Sequence, residues 1–161
     1  MKNIRRTLIC LVLALACIFL LVGCGKKDAA KEAELRFDGL YCYIYTNEKS
    51  GLRNNSALRF YPDGVVISVS IAQRNEESGL FPNDSWFNRD DERISSILGS
   101  YEYESGVISI VDVSSSGTVD RWGEVHEGYM VLSSHSNING HDSTDLVFEF
   151  YPFDEIEGWY R

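Results

Sequence analysis

The feature that most constrains the fold is a series of short segments rich in β-branched and aromatic residues, which begins at Phe37. Turn-forming residues separate the segments every eight to twelve positions, roughly the spacing typical of sandwiches and barrels. In the clearest segment, 65–71, Val and Ile alternate with a more polar row made of Val66, Ser68 and Ser70. A period of two places alternate side chains on opposite faces of a strand, and the sequence therefore predicts an all-β domain.

Similar segments bring the expected total to about eight strands, and turns such as Ser105-Gly106 and Glu127-Gly128 predict hairpins between them. A closed sheet has no exposed edges, which favours an antiparallel up-and-down barrel. One stretch, 85–97, departs from the period of two because its apolar residues have a helical spacing. We expect a short inserted helix there, with Asp84 or Ser85 as its N-cap.

The first residues have the anatomy of a secretory signal. Lys2, Arg5 and Arg6 precede an apolar run, 8–22, that carries no charge. At about 1.5 Å per residue such a run reaches roughly 22 Å, which is shorter than the hydrocarbon core of a bilayer. A cleaved signal peptide over 1–23 is therefore expected rather than a transmembrane helix.

Leu21-Val22-Gly23-Cys24 at the end of this run resembles the bacterial lipobox. The resemblance implies that the Cys24 sulfur receives diacylglycerol, that the signal is cut just before Cys24, and that the new amine takes a fatty acid such as palmitate. Two or three acyl chains hold a protein firmly on a membrane. The chain is therefore expected on the cell membrane or the outer membrane, anchored by lipid and facing outside the cytoplasm.

The mature chain divides by composition into a tether at 24–36, a β-barrel domain at 37–153 and an acidic tail at 154–161. From residue 37 onward 8 Lys and Arg stand against 21 Asp and Glu, a formal charge of −13. Such a charge opposes attraction to nucleic-acid phosphates, and no nucleic-acid partner is expected.

Three short stretches give the domain a loose resemblance to bacterial lipocalin-like (calycin) proteins: Gly39-Leu40-Tyr41, 58–64 (LRFYPDG) and Gly99-Ser100-Tyr101. Tyr41 stands where lipocalins usually carry a Trp. The resemblance implies a barrel with a small apolar ligand in its mouth.

Tyr41, Tyr43 and Tyr45 alternate with Leu40, Cys42 and Ile44 along the first strand. If the tyrosines point inward, they can line a ligand cavity with apolar rings and hydroxyl groups. If the aliphatic row points inward instead, the tyrosines cover the outside. Cys42 has no partner cysteine in the domain, and we expect it to be a buried structural residue.

The residues offer little for catalysis or metal binding. His135, His141 and Asp142 are the types that zinc accepts, but their spacing matches no familiar ligand motif, and 137–140 (NING) is typical of a turn. Glu102 and Glu104 alternate with tyrosines, as on any half-exposed strand. We therefore expect no catalytic residues, no metal and no cofactor, and not an enzyme.

The sequence thus predicts a non-catalytic lipoprotein that binds a small ligand or an envelope partner. Two alternatives remain. One is a structural or assembly lipoprotein that acts through an exposed face. The other is a hydrolase, in which His126, His135 and His141, or Asp142, would converge on one cavity with a carboxylate. A roomy apolar barrel interior would favour the ligand, whereas a filled barrel with an exposed aromatic patch would favour the partner.

Overall fold

The computed structural model describes residues 33–73, 81–89 and 98–156 of the chain. These residues form eight strands: β1 (Gly39–Thr46), β2 (Arg53–Phe60), β3 (Val65–Gln73), β4 (Leu98–Glu104), β5 (Val107–Ser114), β6 (Gly117–His126), β7 (Tyr129–Ser136) and β8 (Asp142–Pro152). Each strand pairs antiparallel with its neighbour in the chain, and β8 pairs with β1. The predicted all-β, closed up-and-down barrel of eight strands is confirmed.

The two ends of the barrel differ in which connections they carry. The tight turns β2–β3, β4–β5 and β6–β7 lie at one end, the base, together with the residues that precede β1. The connections β1–β2, β3–β4, β5–β6 and β7–β8 lie at the other end, the mouth. At the base, Gly64 has a φ of 85°, a conformation that a residue with a Cβ adopts only with strain.

The barrel interior contains the larger of two cores. Buried or partly buried side chains from all eight strands meet in it, among them Tyr41, Phe60, Ile108, Met130 and Phe148. The predicted alternation of β3 is confirmed, because Val66 packs in this interior whereas Ile67 and Val69 belong to the second core.

The second core covers the outside of the barrel over β1, β2 and β3. Leu40, Cys42 and Ile67 point outward there and pack beneath Phe87 and Ile156, which come from the segments that follow β3 and β8. Cys42 is a buried free thiol, as expected. β1 is apolar on both faces because one face lines the interior and the other is covered.

Residues 33–36 close the base. Leu35 is only 3% exposed and packs in the interior core. The Tyr103 hydroxyl donates to the Ala33 carbonyl, and the Arg36 N–H donates to the Tyr41 hydroxyl at 3.1 Å. The packed domain therefore begins before residue 37, inside the predicted tether, and it reaches past residue 153 to the buried Ile156.

The helix predicted over 85–97 is wrong in its described part. Asp84–Phe87 is a single turn of 3₁₀ helix, capped by Asn83 rather than by Asp84 or Ser85, and Asn88 is already extended. The Tyr61 hydroxyl donates to the Phe87 carbonyl at 2.5 Å, so this carbonyl is held by the barrel instead of by a following helical turn. Residues 90–97 lie outside the described residues.

The predicted signal peptide, Cys24, residues 25–32 of the tether and residues 157–161 of the acidic tail also lie outside the described residues. Phe153–Glu155, at the start of that tail, forms a second 3₁₀ turn. Within the described ranges no helix is long and apolar enough to cross a membrane.

Candidate functional site

The barrel interior changes character between base and mouth. The base half is filled by the apolar core, whereas the inward positions of the mouth half carry hydroxyl and charged side chains. Alternation and strand register assign to this mouth half Tyr43, Tyr45, Ser56, Ser68, Ser70, Asp112, Arg121 and Ser134. Solvent reaches these positions, since inward-facing Tyr45 is 43% exposed and Ser70 is also exposed. The mouth half is the candidate site.

A charged pair lies at the centre of this site. Arg121 Nε donates to Asp112 Oδ2 at 2.7 Å, and Ser68 Oγ donates to Asp112 Oδ1 at 2.5 Å. The two charged side chains are 15% and 13% exposed. Gly99 leaves the space for this arrangement, because a Cβ there would lie 3.1 Å from Asp112 Oδ1 and 2.7 Å from the Val111 carbonyl oxygen.

The pair leaves hydrogen-bonding capacity free. Among the described residues, no acceptor bonds to the terminal nitrogens of Arg121, whose side chain uses only Nε. Removing two charged groups from water costs roughly several kcal/mol of free energy, and the attraction between the two groups often does no more than offset that cost. A nearly buried pair with unused donors is therefore a poor way to stabilise a barrel and a good way to bind polar groups of a ligand.

The three tyrosines of β1 all point inward, but they lie at different depths. Tyr41 is 1% exposed and packs in the base half against Phe60 and Phe150, so it does not border the mouth half. Burial raises the pKa of its hydroxyl. Tyr43 and Tyr45 stack with ring centroids 5.1 Å apart, and they form an aromatic wall beside the mouth. Their ligand-lining role stays a prediction.

The histidines lie outside the barrel interior. His135 Nδ1 lies 2.7 Å from Asp142 Oδ1 on the outer surface near the mouth, while His126 stacks on Tyr129 near the base. The backbone N–H of His141 bonds the Asn139 side chain within the predicted turn. Over the described ranges no three His, Cys, Asp or Glu side chains are placed to hold a metal ion.

Glu102 and Glu104 also point away from the interior. In the register of β4 and β5 they face Ser109 and Val107, and both are exposed. Their predicted position on a solvated face is confirmed. The two glutamates therefore do not form a pair of carboxylates inside the barrel.

Ser68, Asp112 and Arg121 are site residues that the sequence analysis missed. A signal for two of them was present, since Asp112 follows Ile108 and Ile110 on one row of β5, and Arg121 lies on the matching row of β6. A charge on an apolar row marks a buried polar site. Ser68 is 44 residues from Asp112 in sequence, and the two come together because β3 and β5 both pair with β4.

Comparisons of the chain with protein-family models, with curated proteins and with solved structures gave no significant match. The closed barrel of eight antiparallel strands is consistent with the lipocalin-like resemblance at the level of the fold, and a fold alone does not define a function.

Proposed function

We propose that this chain is a non-catalytic, lipid-anchored bacterial lipoprotein, held on the outer side of a membrane, whose barrel binds a small polar molecule in its mouth half. The observation that carries the proposal is the division of the interior. Apolar side chains pack together in the base half, whereas the mouth, where the lipocalin-like resemblance implies an apolar ligand, offers a guanidinium, hydroxyls and aromatic rings instead.

The charge balance narrows the ligand class. Asp112 and Arg121 are the only charged residues assigned to inward positions of the described strands, and together they are neutral. The surrounding domain carries a formal charge of −13 from residue 37 onward. This negative charge would repel an anionic ligand. An uncharged molecule with both hydrogen-bond donors and acceptors therefore suits the site better.

The proposed anchor fits the base. Cys24 lies nine residues before Ala33, which is packed at the closed end. Nine extended residues span roughly 30 Å. Lipid on Cys24 would thus attach the chain through the residues that precede its base.

Two experiments test this function. Full chains with Cys24 or with Cys24→Ala are grown with radioactive palmitate, and we expect label and membrane retention only in the former. Persistence of label in Cys24→Ala would end the lipoprotein assignment.

A fragment of residues 32–161 is released from the cell envelope and weighed by native mass spectrometry. Its native mass is compared with its denatured mass, which tests for a retained ligand. This fragment keeps Leu35 in the base and matches the compact unit Glu32–Arg161. We expect an excess mass that disappears when Asp112→Leu and Arg121→Met are combined, and that survives in the outward-facing control Glu102→Gln. The same mass in all three proteins would show that the mouth pair does not bind it.

A further inference from the structure

Among the residues that the structure describes, the second core includes outward positions of β4 and β8 only at Leu98 and Tyr151, and none of β5, β6 or β7. The outward residues of β4 to β8 include Val107, 58% exposed, and Trp122, 49% exposed, with Val147 also exposed. Glu102, Glu104 and Glu124 lie among them, and we name these six residues the acidic face. Single exposed apolar residues are ordinary, but a contiguous group marks a contact surface.

Strand register shows that the apolar and acidic residues of this face alternate. Across one rung of the sheet Glu104 faces Val107, and Val107 faces Glu124. The rung continues through Val131 to Val147 on β8. Neighbouring strands lie about 4.8 Å apart, so the carboxylates of Glu104 and Glu124 lie directly beside aliphatic side chains.

The stretch of sequence that carries these carboxylates contains few cationic residues. Residues 98–156 include 11 Asp and Glu, no Lys and a single Arg, Arg121, which points into the barrel. Along β4 to β8, as far as the structure describes them, the acidic face has one ion-pair contact, from His126 to Glu124 at 3.6 Å. An uncompensated cluster of this kind attracts positive charge.

A shallow groove of about 400 Å³ lies beside the acidic face near the base. Tyr129, Val147 and Tyr151 supply its apolar walls, and Glu149 and Glu155 supply carboxylates. A Lys or Arg side chain matches this lining, because its methylene stem packs on rings while its charged head meets an acid.

We propose that the acidic face is the docking surface for a protein that presents Lys and Arg side chains around an apolar patch. A second copy of this chain is a poor occupant because pairing would place carboxylate against carboxylate. An anionic bilayer surface would be repelled for the same reason. The closed barrel offers no free edge, so the contact is made by side chains and not by an added strand.

The test uses the full chain, purified with its N-terminal segment and placed in phosphatidylcholine nanodiscs. The probe is cytochrome c, whose lysines surround an apolar edge, and the control probe is the same protein with its lysines acetylated. Binding is measured by biolayer interferometry at low and at raised salt. The chain variants are Trp122→Ser and the pair Glu104→Gln with Glu124→Gln.

Two matched controls lie elsewhere on the molecule. Trp86→Ser removes a tryptophan that is 47% exposed, close to the 49% of Trp122, and Glu48→Gln removes an exposed acid from the β1–β2 loop. We expect Trp122→Ser to weaken binding of native cytochrome c about tenfold or more, the double Gln variant to weaken it a few-fold, roughly, and both controls to leave it unchanged.

Equal binding of all variants would show only diffuse attraction to an acidic body and would overturn the proposal, as would equal binding of the acetylated probe or no binding at low salt. Sedimentation of the chain alone supplies a further check. Self-association that Trp122→Ser abolishes would assign this face to a second copy and would also overturn the proposal. None of these readouts depends on a ligand in the mouth, and all variants share the same N-terminal segment, so differences between them do not depend on Cys24 lipidation.

Discussion

The outer surface of this barrel has two faces that both carry apolar outward residues but differ in whether those residues are covered. Over β1 to β3, outward apolar residues such as Ile67 and Val69 are buried beneath Phe87 and Ile156. Over β4 to β8, outward residues such as Val107 and Trp122 are left in solvent. Strand alternation supplies apolar outward positions on both sides, and the difference comes from where the irregular segments 81–89 and 153–156 pack.

The comparison separates two uses of an apolar outward residue. On the covered face it contributes to the stability of the fold, because it leaves water when the cover packs. On the bare face it contributes little to stability and is available for a partner. A change at a buried residue of the covered side should therefore have a larger effect than a similar change at an exposed residue.

The largest expected difference is in thiol reactivity. Burial raises the pKa of the Cys42 thiol to about 12, against a smaller lowering by its hydrogen bond with Asn55. Iodoacetamide at neutral pH should therefore modify native Cys42 at least roughly 1000-fold more slowly than a cysteine on the bare face, introduced as Val107→Cys with Cys42→Ser. Mass spectrometry of timed samples measures both rates, and comparable rates would show that the cover opens readily.

Two adjacent aromatic residues give the next largest difference. Phe87 forms part of the cover and is 1% exposed, whereas its neighbour Trp86 is 47% exposed. Phe87→Ala should lower the free energy of unfolding by about 3 kcal/mol or more, and Trp86→Ala by less than about 1 kcal/mol. Urea titrations followed by circular dichroism test this pair. Similar losses would mean that the segment does not act as a cover.

A near-isosteric substitution refines the comparison. Val→Thr keeps the shape of the side chain and replaces a methyl group by a hydroxyl, which costs free energy only where water is excluded. Val69→Thr, at a position 7% exposed, should therefore destabilise the fold by about 1 to 3 kcal/mol. Val107→Thr should change the free energy of unfolding by less than about 0.5 kcal/mol. An equal cost at both sites would contradict a bare outer face.

The smallest effect lies at the boundary, at Tyr151. Burial raises the pKa of Tyr151, and the hydrogen bond between its hydroxyl and Glu149 raises it further. The pKa is about 12, against an ordinary value of 10.0. A raised folded-state pKa means that the stability from neutral Tyr151 is present below pH 10 and is lost as the pH rises toward 12. Tyr151→Phe should reduce that alkaline decline in stability.

Glu149→Gln is the matching control for Tyr151. It removes the charge that adds to the effect of burial, so the pKa of Tyr151 should fall toward its ordinary value. Absorbance titration of the phenolate in each variant measures this. A Tyr151 that titrates at its ordinary pKa in the unmodified chain would show that its ring is not held against Phe81.

Much of the barrel was readable from the sequence because alternation and turn residues are local signals. The period of two in 65–71 predicted which residues of β3 share a face, and Ser105-Gly106 predicted the hairpin between β4 and β5. The direction of the β1 tyrosines was not readable, since Leu40 and Tyr41 are both buried, one under the cover and one inside.

The missed features depend on contacts between distant parts of the chain. A helix was expected over 85–97 because its apolar spacing looked helical, yet Phe87 is buried by its contact with the outer face of β1 to β3, and Asn88 is extended. The Ser68–Asp112–Arg121 cluster needs β3 and β5 to approach inside a closed barrel. No local pattern encodes such an approach.

The packing of residues 33–36 into the base has a mechanical consequence for a tethered protein. A pull on the chain at residue 33 loads Leu35 and the Tyr103 contact before it reaches any strand pair. These contacts can release first and lengthen the link by four residues, which is roughly 14 Å at full extension. If lipid on Cys24 anchors the chain, as proposed, the segment would act as an extensible coupling that protects the hydrogen-bonded barrel from the first displacement of that anchor.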